Sequence, residues 1–195
     1  MTNKITLRPG RREDAPHIAG LIITAMTEEC CRHFYGNEHT IDDFHRLMTR
    51  LSAATGTQYS FENTICAIDA EGRIAGISVS YDGGRLEELR QPFIDSAKKE
   101  FGIDHSGMSP ETQAGELYLD SLAVLPEYRG QGIATMLLEA TAEKARLSGI
   151  GPLGLLVDKG YPRAERLYNK VGFRHVGDSE WGGHKMKHMQ MTSEK

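Results

Sequence analysis

A glycine-rich turn joins a predicted strand directly to a predicted helix, and this junction constrains the fold more than any other part of the chain. The strand covers 116–124, the turn contains Gly130 and Gly132, and an amphipathic helix follows over 132–148. The first amides of a helix have no carbonyl partner within it, and the peptide dipoles add positive potential at the same end. Because glycine leaves these amides uncovered, the turn predicts a site for a phosphate or pyrophosphate group.

The turn differs from two common phosphate-binding motifs. No Gly-Lys-Ser or Gly-Lys-Thr follows it, as a Walker A loop requires. It also lacks the Gly-x-Gly-x-x-Gly run of a dinucleotide-binding fold. On the two glycines alone, an ordinary strand-to-helix turn is the simpler interpretation.

The apolar patterns predict an α/β fold of the α+β type, in which helices flank a mixed, mostly antiparallel central sheet. A strand–helix–strand unit over 116–158 supplies its one parallel pairing. Pro92 lies inside an amphipathic stretch, which predicts two short helices or a kink. The predicted elements are a strand ending at Pro9, helices over 13–31 and from Thr40, strands over 63–69 and 73–81, a helical stretch over 85–101, a strand over 116–124, a helix over 132–148, a strand over 153–158, a helix over 162–170, and a hairpin of 173–177 and 185–191.

Length and composition limit the class of protein. With 195 residues, 39% of them apolar, the chain has the size of one domain, which is predicted over 1–195. A helical insertion is predicted at about 84–115, and it serves either as a lid over the acceptor site or as packing. The formal net charge of −4 argues against a general nucleic-acid binder. No apolar run is long enough to cross a bilayer, and 1–12 lacks the apolar core of a secretory signal. We therefore predict a cytoplasmic protein that binds neither nucleic acid nor a membrane.

Two segments resemble the signatures of the GNAT (Gcn5-related) N-acetyltransferase family. Residues 129–134 read Arg-x-x-Gly-x-Ala after Leu-Ala-Val-x-Pro-x-Tyr, which is similar to the acetyl-CoA signature of that family. Residues 164–173 read Ala-x-x-Leu-Tyr-x-Lys-x-Gly-Phe, which looks like its second signature. The resemblance implies an acyl-CoA N-acyltransferase-like fold and transfer of an acetyl group from acetyl-CoA to a primary amine, with a small-molecule acceptor expected. No residue is set up as a covalent nucleophile, so direct transfer in a ternary complex is predicted.

The resemblance also implies which residues hold acetyl-CoA. In the family, strand main-chain groups pair with the pantetheine arm and turn amides hold the pyrophosphate. The matching positions here are Leu122, Ala123, Val124, Arg129, Gly130, Gln131, Gly132, Ile133 and Ala134. Tyr161 stands about where the family commonly carries Asn, so either Tyr161 replaces that contact or Lys159 adds a charge contact.

Two acid–base roles follow from the expected chemistry. The resemblance implies that Tyr168 lies near the thioester sulfur and protonates the departing thiolate, although core packing is the alternative. The attacking amine must lose a proton, and Asp120 is the first candidate base and Glu116 the second. The alternative for Asp120 is a hydrogen bond to a neighbouring backbone amide.

Strand alternation predicts which side chains accompany Asp120. If the strand is regular, Glu116, Tyr118 and Asp120 share a face with Leu122 and Val124. Tyr118 is therefore a candidate for contacting the acceptor.

The acceptor site is also expected to use the polar end of the first helix. There Glu29 and His33 continue an apolar stripe, which suits a cleft that receives a cationic amine, although a solvated helix end is the alternative. The three cysteines lack the spacing of metal ligands, and His184 and His188 have no third ligand beside them. We therefore predict that no metal is bound.

Three questions stay open at the level of sequence. A CoA-sensing binding module without turnover would keep the glycine turn but need neither Tyr168 nor Asp120. Acetylation of a peptide or protein N-terminus is the rival within the enzyme class. Met186, Met189 and Met191 serve either as edge-strand packing or as the contact of a homodimer.

Overall fold

A computed structural model describes residues 4–192, which form one seven-stranded sheet with six α-helices. Residues 1–3 and 193–195 of the predicted domain lie outside this range. The strands are β1 (Thr6–Pro9), β2 (Thr64–Ile68), β3 (Ile74–Asp82), β4 (Leu117–Val124), β5 (Leu153–Asp158), β6 (Arg174–Trp181) and β7 (His184–Met191). The helices are α1 (Ala15–Ala25), α2 (Glu28–Tyr35), α3 (Ile41–Ala53), α4 (Leu86–Phe101), α5 (Ile133–Ser148) and α6 (Pro162–Val171).

The sheet has the predicted mixed, mostly antiparallel character. Its strand order is β1-β2-β3-β4-β5-β7-β6. The neighbours β4 and β5 run parallel, joined by α5 as the strand–helix–strand unit predicts, and the other neighbouring pairs are antiparallel. Over residues 4–192, no helix combines the length and apolar character that a membrane crossing needs.

The sheet separates two layers of helices. On one face, Ile77 and Val79 of β3 pack with the buried side chains of α1, α2, α3 and α4. On the other face, Leu117 and Leu119 of β4 pack with buried side chains of α5 and partly buried side chains of α6. Met189, one of the three C-terminal methionines, is fully buried in the second cluster. The predicted edge strand is wrong, because β7 lies between β5 and β6, and packing inside the sheet is the observed role of Met189.

Two irregularities open the centre of the sheet. Strands β4 and β5 pair only at their first residues, Leu117 with Leu153 and Tyr118 with Gly154. Farther along β4, its register against β3 shifts between Val79 and Ser80, so that Asp120 has no partner across the ladder and forms a bulge. A bulge bends its strand and increases the local twist. The second half of β4 therefore leaves an edge without strand partners from β5, where an extended ligand can lie.

The predicted helix over 13–31 is wrong, because the chain forms two helices there. Helix α1 ends at Ala25, and Met26 adopts an extended conformation. The Thr27 hydroxyl then accepts a hydrogen bond of 3.1 Å from the Cys30 amide and caps a new helix, α2. Such a cap satisfies an amide that would otherwise lack a hydrogen-bond partner, and it therefore favours the beginning of a new helix at this residue.

The predicted break at Pro92 is also wrong, because α4 runs through this residue as one helix. Proline removes one helical hydrogen bond and crowds the preceding turn. Here Leu89, Phe93 and Ala97 bury one face of the helix on both sides of the proline. The Leu89 carbonyl also accepts a hydrogen bond of 2.9 Å from the Gln58 amide. We attribute the continuity of α4 to this packing.

Candidate active site

A cleft of about 310 Å³ lies beside the second half of β4. It is lined by Thr24 and Ala25 of α1, by Leu122, Ala123 and Val124 of β4, by Arg129 and Ala134 at the glycine turn, and by Ala164, Leu167 and Tyr168 of α6. Two sequence segments that are 30 residues apart, 129–134 and 164–173, therefore meet at one cavity. Of its lining residues, Thr24, Ala25, Ala164 and Leu167 were not among the candidate site residues, although Ala164 and Leu167 belong to the second signature.

The glycine turn leaves its backbone open. Gly130 and Gly132 have φ of +76° and +81°, a left-handed conformation that side chains disfavour. A Cβ at either position would meet no atom within 4 Å, so open space, here called the cradle, adjoins the two glycines. Gly132 caps α5 without a side-chain hydrogen bond, which leaves the first amides of that helix available for an anion. The Ile133 side chain is buried in the core and anchors the start of the helix.

Two side chains fix this turn to the sheet. Arg129 donates from Nε to the Val124 carbonyl at 3.2 Å, and its exposed guanidinium adds positive charge at the cleft. Tyr128 donates from its hydroxyl to Asp69 Oδ2 at 2.5 Å, and Arg73 donates to the same carboxylate. The Tyr128 hydrogen bond, with the Arg73 contacts, holds the pKa of Asp69 well below its usual range. Gln131 donates from Nε2 to the Glu127 carbonyl at 3.3 Å.

Tyr168 lies on α6 between the core and the cleft. Its ring packs against Phe173 with centroids 5.6 Å apart, and its side chain lines the cavity. Burial raises its pKa to about 12, so the hydroxyl keeps its proton throughout the neutral range. Packing is thus observed, while the role of Tyr168 as a proton donor stays a prediction.

Asp120 sits at the β4 bulge with its carboxylate in a polar cluster. Tyr81 donates from its hydroxyl to Oδ2 at 2.9 Å, and Ser121 donates from Oγ to Oδ1 at 2.8 Å. Gln58 Nε2 lies 3.4 Å from Oδ2. Burial raises the pKa of Asp120 above its ordinary value despite these donors. A carboxylate with a raised pKa is a better proton acceptor than a solvated one.

The expected sharing of one face along β4 is wrong, because Asp120 is the extra residue of the bulge. Tyr118 packs in the cluster with α4 side chains, on one face of the sheet. Leu122 and Val124 pack against the cluster with α5 side chains, on the opposite face. A bulge shifts the alternation by one residue, which no regular strand pattern anticipates.

The Glu116 carboxylate is hydrogen-bonded to side chains of β7 and of the loop before β4. It accepts hydrogen bonds from Thr112 Oγ1 at 2.6 Å, His188 Nε2 at 2.7 Å and Gln190 Nε2 at 2.8 Å. Its side chain crosses β5 over Gly154, where any Cβ would collide with the carboxylate. Although burial raises the pKa of Glu116, the three donors outweigh it and lower that pKa. Glu116 is accordingly the weaker of the two candidate bases.

Three other sequence candidates lie outside the cleft. Glu29 and His33 are exposed on α2, because the apolar stripe that pointed to them assumed a single helix through residue 31. Their assignment to the acceptor site stays a prediction, as does that of Tyr161, which is 54% exposed at the start of α6. Lys159, the alternative to Tyr161, pairs with Asp178 at 2.8 Å.

The sequence did not point to most of the side chains around Asp120. These are Cys30, Gln58, Tyr59, Tyr81, Arg90 and Glu111. One signal was available for Arg90, a charged residue on the apolar stripe of its helix next to Leu89 and Phe93. Glu111 lies in a loop and joins the cluster only through tertiary structure.

Nothing in residues 4–192 gathers three His, Cys, Asp or Glu side chains in a way that could hold a metal. His184 Nδ1 lies 3.0 Å from Asp158, and His188 bonds to Glu116. The three cysteines are free thiols, and burial raises the pKa of each.

Comparisons with known proteins agree with this geometry. The family described as "Acetyltransferase (GNAT) family" matches residues 34–173. Acetyltransferase Atu2258 from Agrobacterium fabrum is 34% identical over 117 residues, which are 56% of this chain and 79% of the relative. Thialysine N-epsilon-acetyltransferase from Mus musculus is 36% identical over 64 residues, 33% of this chain and 38% of that protein.

Solved structures share the fold along nearly the whole chain. A crystal structure described as that of an acetyltransferase has a TM-score of 0.81 at 29% identity and covers 97% of this chain and 100% of its own. An N-acetyltransferase from Staphylococcus aureus Mu50 has a TM-score of 0.79 at 22% identity and covers 95% and 100%. The second likeness shows the fold alone.

Proposed function

This chain belongs to the GNAT acetyltransferase family, and from that premise we propose that its acceptor is the primary amine of a small molecule. The family activity, acetyl-CoA-dependent N-acetyl transfer, sets the reaction type. One observation carries the proposal: both motifs meet at one cleft. Asp120 lies two residues before Leu122, the first β4 residue that lines this cleft.

Residues of the turn and of β4 would hold the acetyl donor. The open cradle at Gly130 and Gly132 fits a pyrophosphate, since both the amides and the helix end favour negative charge. The edge of β4 that lacks β5 partners offers main-chain groups to the pantetheine arm, as an added strand would use them. Acetyl-CoA supplies the reactive thioester when it is bound.

Asp120 and Tyr168 would move the two protons of the reaction. Asp120 takes one from the ammonium of the acceptor, so that the neutral nitrogen can attack the thioester carbonyl carbon. As the carbon–sulfur bond breaks, Tyr168 gives its hydroxyl proton to the departing thiolate, and the second proton that the acceptor nitrogen loses on forming the amide returns to the Tyr168 oxygen. The raised pKa of Asp120, caused by burial, favours the first step. Since both substrates are held together, the transfer needs no acyl-enzyme.

Two observations favour a small acceptor over a peptide. The Asp120 carboxylate is half-buried, with the Tyr81 hydroxyl of β3 bonded to it and with Cys30 of α2 and Arg90 of α4 close enough to act on its charge. Enclosure restricts the size of an acceptor. The mouse relative is named as an N-epsilon-acetyltransferase of thialysine, a small molecule with an amine as its acceptor group.

The test is release of CoA thiol with acetyl-CoA and a panel of amines that includes polyamines, amino acids and short peptides. Release with free amines and not with peptides supports the proposal. Release with peptides alone would select acetylation of a protein N-terminus. Binding of acetyl-CoA without release by any acceptor would instead favour a CoA-sensing module.

A further inference from the structure

We propose that Arg90 and Glu111, which lie in the segment between β3 and β4, are positioning residues that act on Asp120 through Tyr81. The inference rests on the proposed function for the role of Asp120. The segment 84–115 then contributes to the acid–base site, in addition to any role as a lid or in packing.

A continuous chain of polar contacts links the segment to the carboxylate. Arg90 on α4 forms an ion pair with Glu111, and their side chains are only 6% and 7% exposed. The Tyr81 hydroxyl lies 3.5 Å from Glu111 Oε1 and 2.9 Å from Asp120 Oδ2. A hydroxyl has one proton to donate, and the shorter distance assigns it to Asp120. Glu111 therefore lies on the far side of the hydroxyl that orients Asp120.

The loop that carries Glu111 is held in place from three sides. Arg90 Nη1 lies 3.3 Å from the Ser109 carbonyl, and His105 Nε2 lies 3.1 Å from the Phe34 carbonyl. The Gly83 amide donates to the Glu116 carbonyl at 3.0 Å, and a Cβ at Gly83 would collide with the returning loop. The Glu111 carboxylate thus has a fixed position relative to β3 and β4.

Charge reaches Asp120 from Arg90, the cationic member of this ion pair. The other titratable groups that face Asp120 come from α2, from the segment before β2, from β3 and from β4. They are Cys30, Tyr59, Tyr81 and Tyr118. Burial raises the pKa of each of the four, so all are neutral near pH 7. Within residues 4–192, Arg90 is the cation that acts on Asp120, and Glu111 offsets its charge.

This arrangement predicts shifts of opposite sign in the proton affinity of Asp120. Removing the Tyr81 hydroxyl (Tyr81→Phe) deletes a hydrogen bond to the ionised carboxylate, so the pKa of Asp120 rises. Removing the cation (Arg90→Gln) raises it as well. Neutralising Glu111 (Glu111→Gln) leaves Arg90 without its counterion, so the pKa of Asp120 falls. A pair that only packed the segment against the sheet would change stability without this pattern.

The experiment measures the titration of the Asp120 carboxyl by ¹³C NMR on protein labelled at aspartate, with Asp120→Asn to identify the signal. Glu100→Gln is the matched control, because Glu100 is a carboxylate on α4 that pairs with Arg50 of α3 and has no contact with the cluster. In parallel, the pH profile of kcat/KM is recorded for the same variants. We expect its acidic limb to follow the NMR shifts while the KM for acetyl-CoA stays constant.

Unchanged titration of Asp120 in both Tyr81→Phe and Glu111→Gln would overturn the inference. If Arg90→Gln does not fold, those two variants still decide it. If the wild-type protein transfers no acetyl group to any acceptor, the proposed function fails, and the NMR shifts decide the link to Asp120 independently. NMR shifts without a matching change in the rate profile of an active enzyme would also overturn the positioning role.

Discussion

Gly132 and Gly149 lie at the two ends of α5 in the same left-handed conformation, with φ of +81° and +68°. A Cβ would meet no atom within 4 Å at either position. Any other residue there costs roughly 1–2 kcal/mol in backbone strain. The two positions differ in one respect that matters for function, since only Gly132 belongs to the predicted pyrophosphate turn.

This symmetry gives a controlled test of acetyl-CoA binding. We expect Gly132→Glu to abolish thermal stabilisation by acetyl-CoA, because its carboxylate enters the cradle and repels the pyrophosphate. In the wild-type protein, ligand at about 100 times its Kd should add roughly 2.7 kcal/mol to the free energy of unfolding. Differential scanning fluorimetry with and without acetyl-CoA measures the effect.

The control is Gly149→Glu, which introduces the same strain and charge at the other end of the helix. It should keep the full acetyl-CoA shift. Equal loss of the shift in both variants would mean that the helix, and not the turn, limits binding.

Tyr168→Phe and Asp120→Asn should each lower kcat by about 10²-fold or more, because each removes one proton transfer. The Kd for acetyl-CoA should change little, since neither substitution alters the turn. Initial rates of thiol release and isothermal titration separate the two quantities.

The controls for these variants are Tyr35→Phe and Asp95→Asn. Tyr35 is a buried tyrosine that packs against Phe44, and Asp95 is an exposed aspartate of α4. A rate in Tyr168→Phe equal to that of Tyr35→Phe would leave Tyr168 with its packing role alone.

The predictable parts of this protein are those that local sequence determines. The glycine turn, the Thr40–Asp43 capping box of α3 and the first residue of α6, Pro162, all depend on residues within one helical turn of each other. The single parallel pairing followed from the strand–helix–strand unit over 116–158. Thr27 was also a local signal, but the apolar stripe running past it favoured one long helix.

The parts that were missed depend on pairing between distant segments. The bulge at Asp120 exists because β3 shifts its register against β4, which residues 116–124 alone do not encode. Arg90 and Glu111 are 21 residues apart, and only the returning loop brings them to Tyr81. Asp120 could therefore be named as a candidate from the sequence, and its role as the base stays a prediction, while its surroundings were not anticipated.

Lys144 predicts a distinct pH dependence of stability. Its ammonium is mostly buried and donates to the Ser80 carbonyl at 2.7 Å and to Ser80 Oγ at 3.0 Å, beside the β4 bulge. Burial lowers its pKa from 10.5 to about 8. Above pH 8 the folded protein has released this proton while the unfolded chain retains it, so stability rises with pH towards 10.5.

Between pH 7 and pH 9.5, we expect the free energy of unfolding of the wild-type protein to increase relative to that of Lys144→Met, by at most about 3 kcal/mol. Urea denaturation at the two pH values measures this difference. Ionisation of the cysteines affects both proteins equally and therefore cancels in the difference. Lys185→Met, which removes an exposed lysine of β7, is the control. A constant difference between wild type and Lys144→Met would show that burial imposes no cost on this lysine.

Tyr128 should couple acid stability to acetyl-CoA binding, because it joins the Asp69 carboxylate to the turn that begins at Arg129. The pKa of Asp69 is lowered in the fold, first by Tyr128, so the stabilisation is present above its unfolded pKa and is lost as pH falls through the lower folded pKa. We expect Tyr128→Phe to lower the Tm at pH 7 and to reduce the further loss between pH 5 and pH 2. The same variant should raise the Kd for acetyl-CoA, since the turn loses an anchor, whereas Tyr35→Phe should leave it unchanged. A lower Tm with an unaltered Kd would show that the turn keeps its shape without the Asp69 hydrogen bond.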